Sequence, residues 1–131
     1  MRLRLELFVK SVPTSRDFYT NVLAFDEVSY QPDGYSVFRK GYVQIALQAW
    51  SQLPDDHPLK PQEQERVGLG VEIVIEVDDL DTLYAHVLNA EWPIADDLAE
   101  RPWGSRDFRV VDPNGYYLRI NELTSKCALQ P

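Results

Sequence analysis

Charged, amide and aromatic residues recur on alternate positions in four short runs of this chain. They are Arg4, Glu6 and Phe8 in "LRLELFV", Gln44 and Gln48 in "VQIALQA", Glu72 and Glu76 in "VEIVIEV", and Tyr117, Arg119 and Asn121 in "YYLRINE". Alternation puts each set on one face of a β-strand. A glutamate such as Glu72 can act as a general base or a metal ligand. Tyrosine and tryptophan can stack on flat or cationic ligands. Arg119 is the odd member, because a guanidinium has only donors and cannot ligate a cation. The other residues with chemical potential are few. His57 lies in a proline-rich stretch and His86 on a helical one, and both read as surface residues. Cys127 is the only cysteine, which excludes an internal disulfide and a cysteine-based zinc cluster.

The runs that carry these residues are strands in a repeating order. Leu3, Leu5, Leu7 and Val9 oppose Arg4, Glu6 and Phe8. A helix is predicted over Pro13–Ala24, with Pro in its first turn and a stripe of Phe18, Val22 and Leu23. Strands follow at Asp26–Gln31, Tyr35–Arg39 and Tyr42–Ala49. Residues 50–67 contain three prolines and read as a linker. The order then repeats: a strand at Val71–Val77, a helix at Leu80–Ala90 capped by Asp79 or Asp81, a weak strand at Trp92–Leu98, and strands at Arg106–Val111 and Tyr116–Asn121. The last opens from the turn "DPNG", where Pro113 suits the second position and Asn114–Gly115 tolerates positive φ. In that strand Tyr116, Leu118 and Ile120 take the core face.

The fold class is therefore α+β, with two βαβββ modules that form a curved mixed sheet around a cleft. One domain spans 1–131, with module one at 1–49, the linker at 50–67, module two at 68–124 and a polar tail at 125–131.

Bulk composition narrows the function. The 131 residues carry a formal net charge of −8, which repels phosphate backbones and argues against nucleic-acid binding. The same sign would suit a basic ligand. No apolar run approaches the ~20 residues that span a membrane. The start "MRLRLELFV" shows no signal-peptide pattern, so a cytoplasmic location is expected.

Three segments resemble the vicinal-oxygen-chelate superfamily, which includes glyoxalase I, bleomycin-resistance proteins and extradiol dioxygenases. They are "LFVKSVPTSRDFYTNVLAF" at 7–25, "VEIVIEVDDLDTLYAHVL" at 71–88 and "RPWGSRDFRVVDPNGYYLRINE" at 101–122. In metal-dependent members the ion is held by His, Gln or Glu from the first and last strands of each module. The resemblance places those positions at Arg4, Ala46, Glu72 and Arg119. Only Glu72 can ligate, so the resemblance implies the metal-free, bleomycin-resistance-like branch, with no cofactor. It also implies that Arg4, Arg119 or both pair with Glu72 where the metal would sit.

The expected ligand surface comprises Arg4, Glu6, Phe8, Gln44, Gln48, Glu72, Glu76, Tyr117, Arg119 and Asn121, with Trp50 and Trp103 as rim residues. Glu6 and Glu76 also read as solvated strand charges. Trp103 in "RPWG" also reads as structural, and Trp92 as core packing. This lining suits a polar, partly aromatic small molecule; the resemblance implies an antibiotic as one such ligand, held by sequestration. The alternatives are a glyoxalase-like lyase or dioxygenase, metal-dependent or using Glu72 as base, and a regulatory module closed by its own salt bridges. Members of this size in the superfamily are usually two-fold dimers, so a homodimer is expected.

Overall fold

The computed structural model describes residues 1–123; Cys127 and the tail expected at 125–131 lie outside them. The chain divides after Val67 into two compact units, each built on one four-stranded mixed sheet and one helical segment. Both units are βαβββ modules and the class is α+β.

In module one, β1 (Leu5–Val9) leads into α1 (Val12–Asp17), then β2 (Asp26–Ser29), β3 (Ser36–Lys40) and β4 (Val43–Ala49). The sheet order is β1-β4-β3-β2. β1 and β4 run parallel, with Glu6 beside Ala46 and Phe8 beside Gln48. The apolar face buries Leu7, Val9, Phe38, Ile45 and Leu47 with Phe18, Tyr19, Val22 and Leu23 of the helical segment. Leu3 departs from expectation: it precedes the strand and is 77% exposed.

The helix also differs from the prediction. Ser11 caps it by accepting a hydrogen bond from the Thr14 amide, and α-geometry lasts only to Asp17. Phe18–Val22 then widens into a π-turn, closed by Leu23 N–H on the Phe18 carbonyl. The wider turn lets neighbours Phe18 and Tyr19 both face inward, packed edge to face with centroids 4.9 Å apart.

Module two repeats the plan. β5 (Glu72–Val77), α2 (Leu80–Asn89), β6 (Asp96–Glu100), β7 (Arg106–Val111) and β8 (Tyr117–Glu122) give the order β5-β8-β7-β6. Leu80, Leu83 and Val87 bring the stripe of α2 to Ile73, Ile75, Phe108, Val110, Leu118 and Ile120. Asp79 is the cap, accepting from the Thr82 amide and hydroxyl. β6 starts four residues later than predicted, because Ile94 and Ala95 precede its ladder and the register then shifts between Asp96 and Ala99. The "DPNG" turn is tied by the buried Asp112 carboxylate, which accepts from the amides of Asn114, Gly115 and Tyr116. Of Asn114–Gly115, only Gly115 takes positive φ.

One ion-pair cluster joins α2 to the sheet. Arg106 grips Asp81 through both terminal nitrogens, at 3.2 and 3.0 Å, and Glu122 at 3.1 Å. Its guanidinium lowers the pKa of both carboxylates. A lowered folded-state pKa contributes stability above the unfolded value, about 4 for a carboxylate, and loses it as pH falls through the folded value. Arg106→Gln is therefore expected to be less stable than wild type at pH 7. The gap should close as pH drops below about 4, as read by urea unfolding at both pH values.

Candidate functional site

Each sheet has one face on its helix and one polar face. On module one the polar face carries Arg4, Glu6 and Phe8 from β1 and its approach, and Gln44, Ala46 and Gln48 from β4. The expected residues on this module do meet on one surface. Arg4 pairs with Glu6 at 3.1 Å, both half-exposed. Tyr35, just before β3, donates a short 2.5 Å hydrogen bond to the same Glu6 carboxylate. That bond raises the Tyr35 pKa, with partial burial adding to it, so the phenol stays protonated at neutral pH. A groove of about 580 Å³ opens here, lined by Arg2, Leu3, Arg4, Glu6 and Gln44. The linker does not stay clear of this face, since His57 lies tilted against Phe8 with ring centroids 6.0 Å apart. Trp50 opens a short 3-10 turn after β4 and is half-buried.

On module two, parallel pairing sets Glu72 beside Tyr117, Val74 beside Arg119 and Glu76 beside Asn121. Arg119 Nε lies 3.2 Å from Glu72 Oε1, the ion pair expected from the resemblance. The Nε–H is nonetheless out of line with that oxygen and makes no hydrogen bond. Within module one, Arg4 is paired with Glu6. Glu76 is exposed and forms no ion pair with a described residue. Asn121 is 7% exposed, and its amide meets Ser105 at 3.4 Å and the Glu122 carbonyl at 3.2 Å. Trp103 sits outside the strands and is 57% exposed. Trp92 is half-buried and donates to the Val111 carbonyl at 3.0 Å.

The same face holds a cluster absent from the expected set. Asp107 on β7 is fully buried, and its Oδ1 receives Arg101 at 2.9 Å and Arg109 at 3.3 Å. Arg101 also reaches Asp96 at 3.4 Å. Tyr117, and after it Asp107, raise the Arg109 pKa. Alternation in "RDFRVV" places Asp107 and Arg109 on the polar face. Tyr35 could have been found likewise, from its alternation with Val37 and Arg39. Arg101 and His57 have no periodic signal.

Two sheets, each the product of one βαβββ module and each with a helix on one face and a polar lining on the other, define a duplicated-module architecture. The chain belongs to the Glyoxalase/Bleomycin resistance protein/Dioxygenase superfamily, whose model matches residues 3–120. It is 29% identical over 113 residues to a bleomycin resistance protein of Staphylococcus aureus, covering 81% of this chain and 84% of that one. Among solved structures it resembles TioX from Micromonospora sp. ML1 (TM-score 0.75, 17% identity, 93% of this chain and 98% of that one). It also resembles a lactoylglutathione lyase from Agrobacterium tumefaciens (TM-score 0.69, 19% identity, 93% and 92%).

The residues present do not fit a divalent ion at the family positions. Such an ion needs several neutral or anionic donors. The Arg4 and Arg119 side chains offer none, the Ala46 side chain has no polar atom, and Glu72 is paired with Arg119. Among the described residues no group of three or more His, Cys, Asp or Glu converges as a metal site.

Proposed function

We propose that this chain binds a polar, partly aromatic small molecule on the polar faces of its sheets without a metal ion, and holds the ligand rather than converting it. The observation that carries this reading is the Glu72–Arg119 ion pair. It engages the one carboxylate among the family positions, which could otherwise ligate a metal. Glu6 is engaged in the same way by Arg4 and Tyr35. The lining of amides, arginines, Phe8 and Tyr117 suits such a ligand. The likeness to a bleomycin resistance protein makes antibiotics the first class to test. The chain acts in the cytoplasm and as a homodimer; exposed apolar Leu3, Leu69 and Val71 near the strand starts support the dimer.

The test is a calorimetric titration with metal-free bleomycin before and after dialysis against EDTA, followed by a thermal-shift screen of other antibiotics and aromatic metabolites. Saturable binding that survives chelation is expected, with well under one divalent ion per chain by elemental analysis. Stoichiometric metal whose removal abolishes binding overturns the reading, as does a screen in which nothing stabilises the fold. Sedimentation of the same sample should give a dimer; a monomer at micromolar concentration contradicts that part.

A further inference from the structure

We infer that the polar face of module two is an oxyanion site in which Arg109 and Arg119 together receive a carboxylate or phosphate group of the ligand. The inference rests on reading this face as a ligand surface.

Three observations carry it. First, Arg109 and Arg119 are direct partners in the β7–β8 register, so both side chains leave the same face side by side. Like charges directly opposite one another cost stability, and an anion between them relieves that cost. Second, both side chains are paired with a carboxylate but incompletely covered, at 18% and 25% exposure. Asp107 and Tyr117 fix Arg109, and Glu72 fixes Arg119, which leaves the guanidinium groups preorganised. Third, buried side-chain polar atoms are almost always hydrogen-bonded. Among the described residues two are not, Arg119 Nε and Asp107 Oδ2, and both belong to this face. The first lies 3.2 Å from Glu72 Oε1, out of line with it, and is itself covered, so an oxyanion meets the exposed part of the Arg119 guanidinium and not this nitrogen.

The overall charge of −8 points toward a cationic ligand, but it does not describe this surface. Arg101, Arg109 and Arg119 here balance Asp96, Asp107 and Glu72. Within that cluster the charges cancel, while Glu76, exposed on the same face, adds one negative charge beside it. Asp107 is a positioning residue, because it lies beneath the arginines and touches the ligand only through them.

The experiment titrates the full chain with inorganic phosphate and, separately, benzoate, at ionic strength held constant with sodium chloride. Melting temperature and the Arg119 Nε–H resonance are followed. Saturable stabilisation and movement of that resonance are expected with at least one oxyanion; which of the two acts identifies the group. Arg109→Gln and Arg119→Gln should each weaken the response about tenfold or more. Lys40→Gln, which removes the same charge elsewhere, should not. If neither oxyanion acts in wild type, or if both arginine variants respond like wild type, the inference fails. Should an arginine variant not fold, a stationary Nε–H resonance in wild type overturns it alone. Bleomycin binding that persists without any oxyanion response removes this inference and leaves the proposed function standing.

Discussion

Replacing Asp107 with alanine is expected to lower the unfolding free energy by about 3–5 kcal/mol. The carboxylate has no solvent exposure, and two guanidinium groups converge on its Oδ1. Coulombic attraction within a buried pair is largely offset by desolvation, so the intact cluster contributes modestly. Removing one partner is different, because the desolvation of the remaining charges is then uncompensated. Arg101 and Arg109 are only 14% and 18% exposed. Asp107→Asn should lose less, since it keeps an acceptor for one arginine. Urea unfolding at pH 7 measures both. A loss under about 1 kcal/mol for the alanine variant would show that the arginines find other partners.

Phe38→Ala is the second large effect, at about 3–5 kcal/mol. Phe38 is wholly buried on the helix-facing side of module one, directly opposite Ile45 in the β3–β4 register. Deleting the ring removes its transfer free energy and leaves a cavity. The surroundings can close that cavity only partly, because β3 is held on both sides by ladders to β2 and β4. Phe38→Leu should recover much of the loss. Urea midpoints with an unchanged slope would confirm that stability, and not the denatured state, had altered.

How much of this was legible in the sequence depends on which property is asked for. Alternation in "VEIVIEV" and "YYLRINE" showed both faces of β5 and β8, because one-sided burial forces a period of two. It placed Glu72 and Arg119 on the same side, and the family resemblance brought them together. Alternation reports side but not depth. Asp107 and Glu76 look alike as strand charges, yet one is sealed and the other open. What seals Asp107 is Arg101, delivered by the "RPWGS" turn, and turns carry no period. The π-turn was hidden for a related reason. Phe18, Val22 and Leu23 satisfy a regular helix, and only the burial of Tyr19 requires the wider one. His57 came to Phe8 through the path of a loop that composition describes only as irregular.

The strand order β1-β4-β3-β2 also constrains how the protein is made. β1 is the first strand of module one to leave the ribosome, yet its only partner within the module is β4, the last. The hairpins β2–β3 and β3–β4 can zip locally as they emerge, but β1 must wait until Ala49 is synthesised to gain a neighbour. Module two imposes the same delay on β5, which waits for β8. Closing each sheet is thus a long-range step that comes after local pairing, the kind that slows folding. During that wait the apolar residues of β1, Leu7 and Val9, are the ones a nascent-chain chaperone would find uncovered.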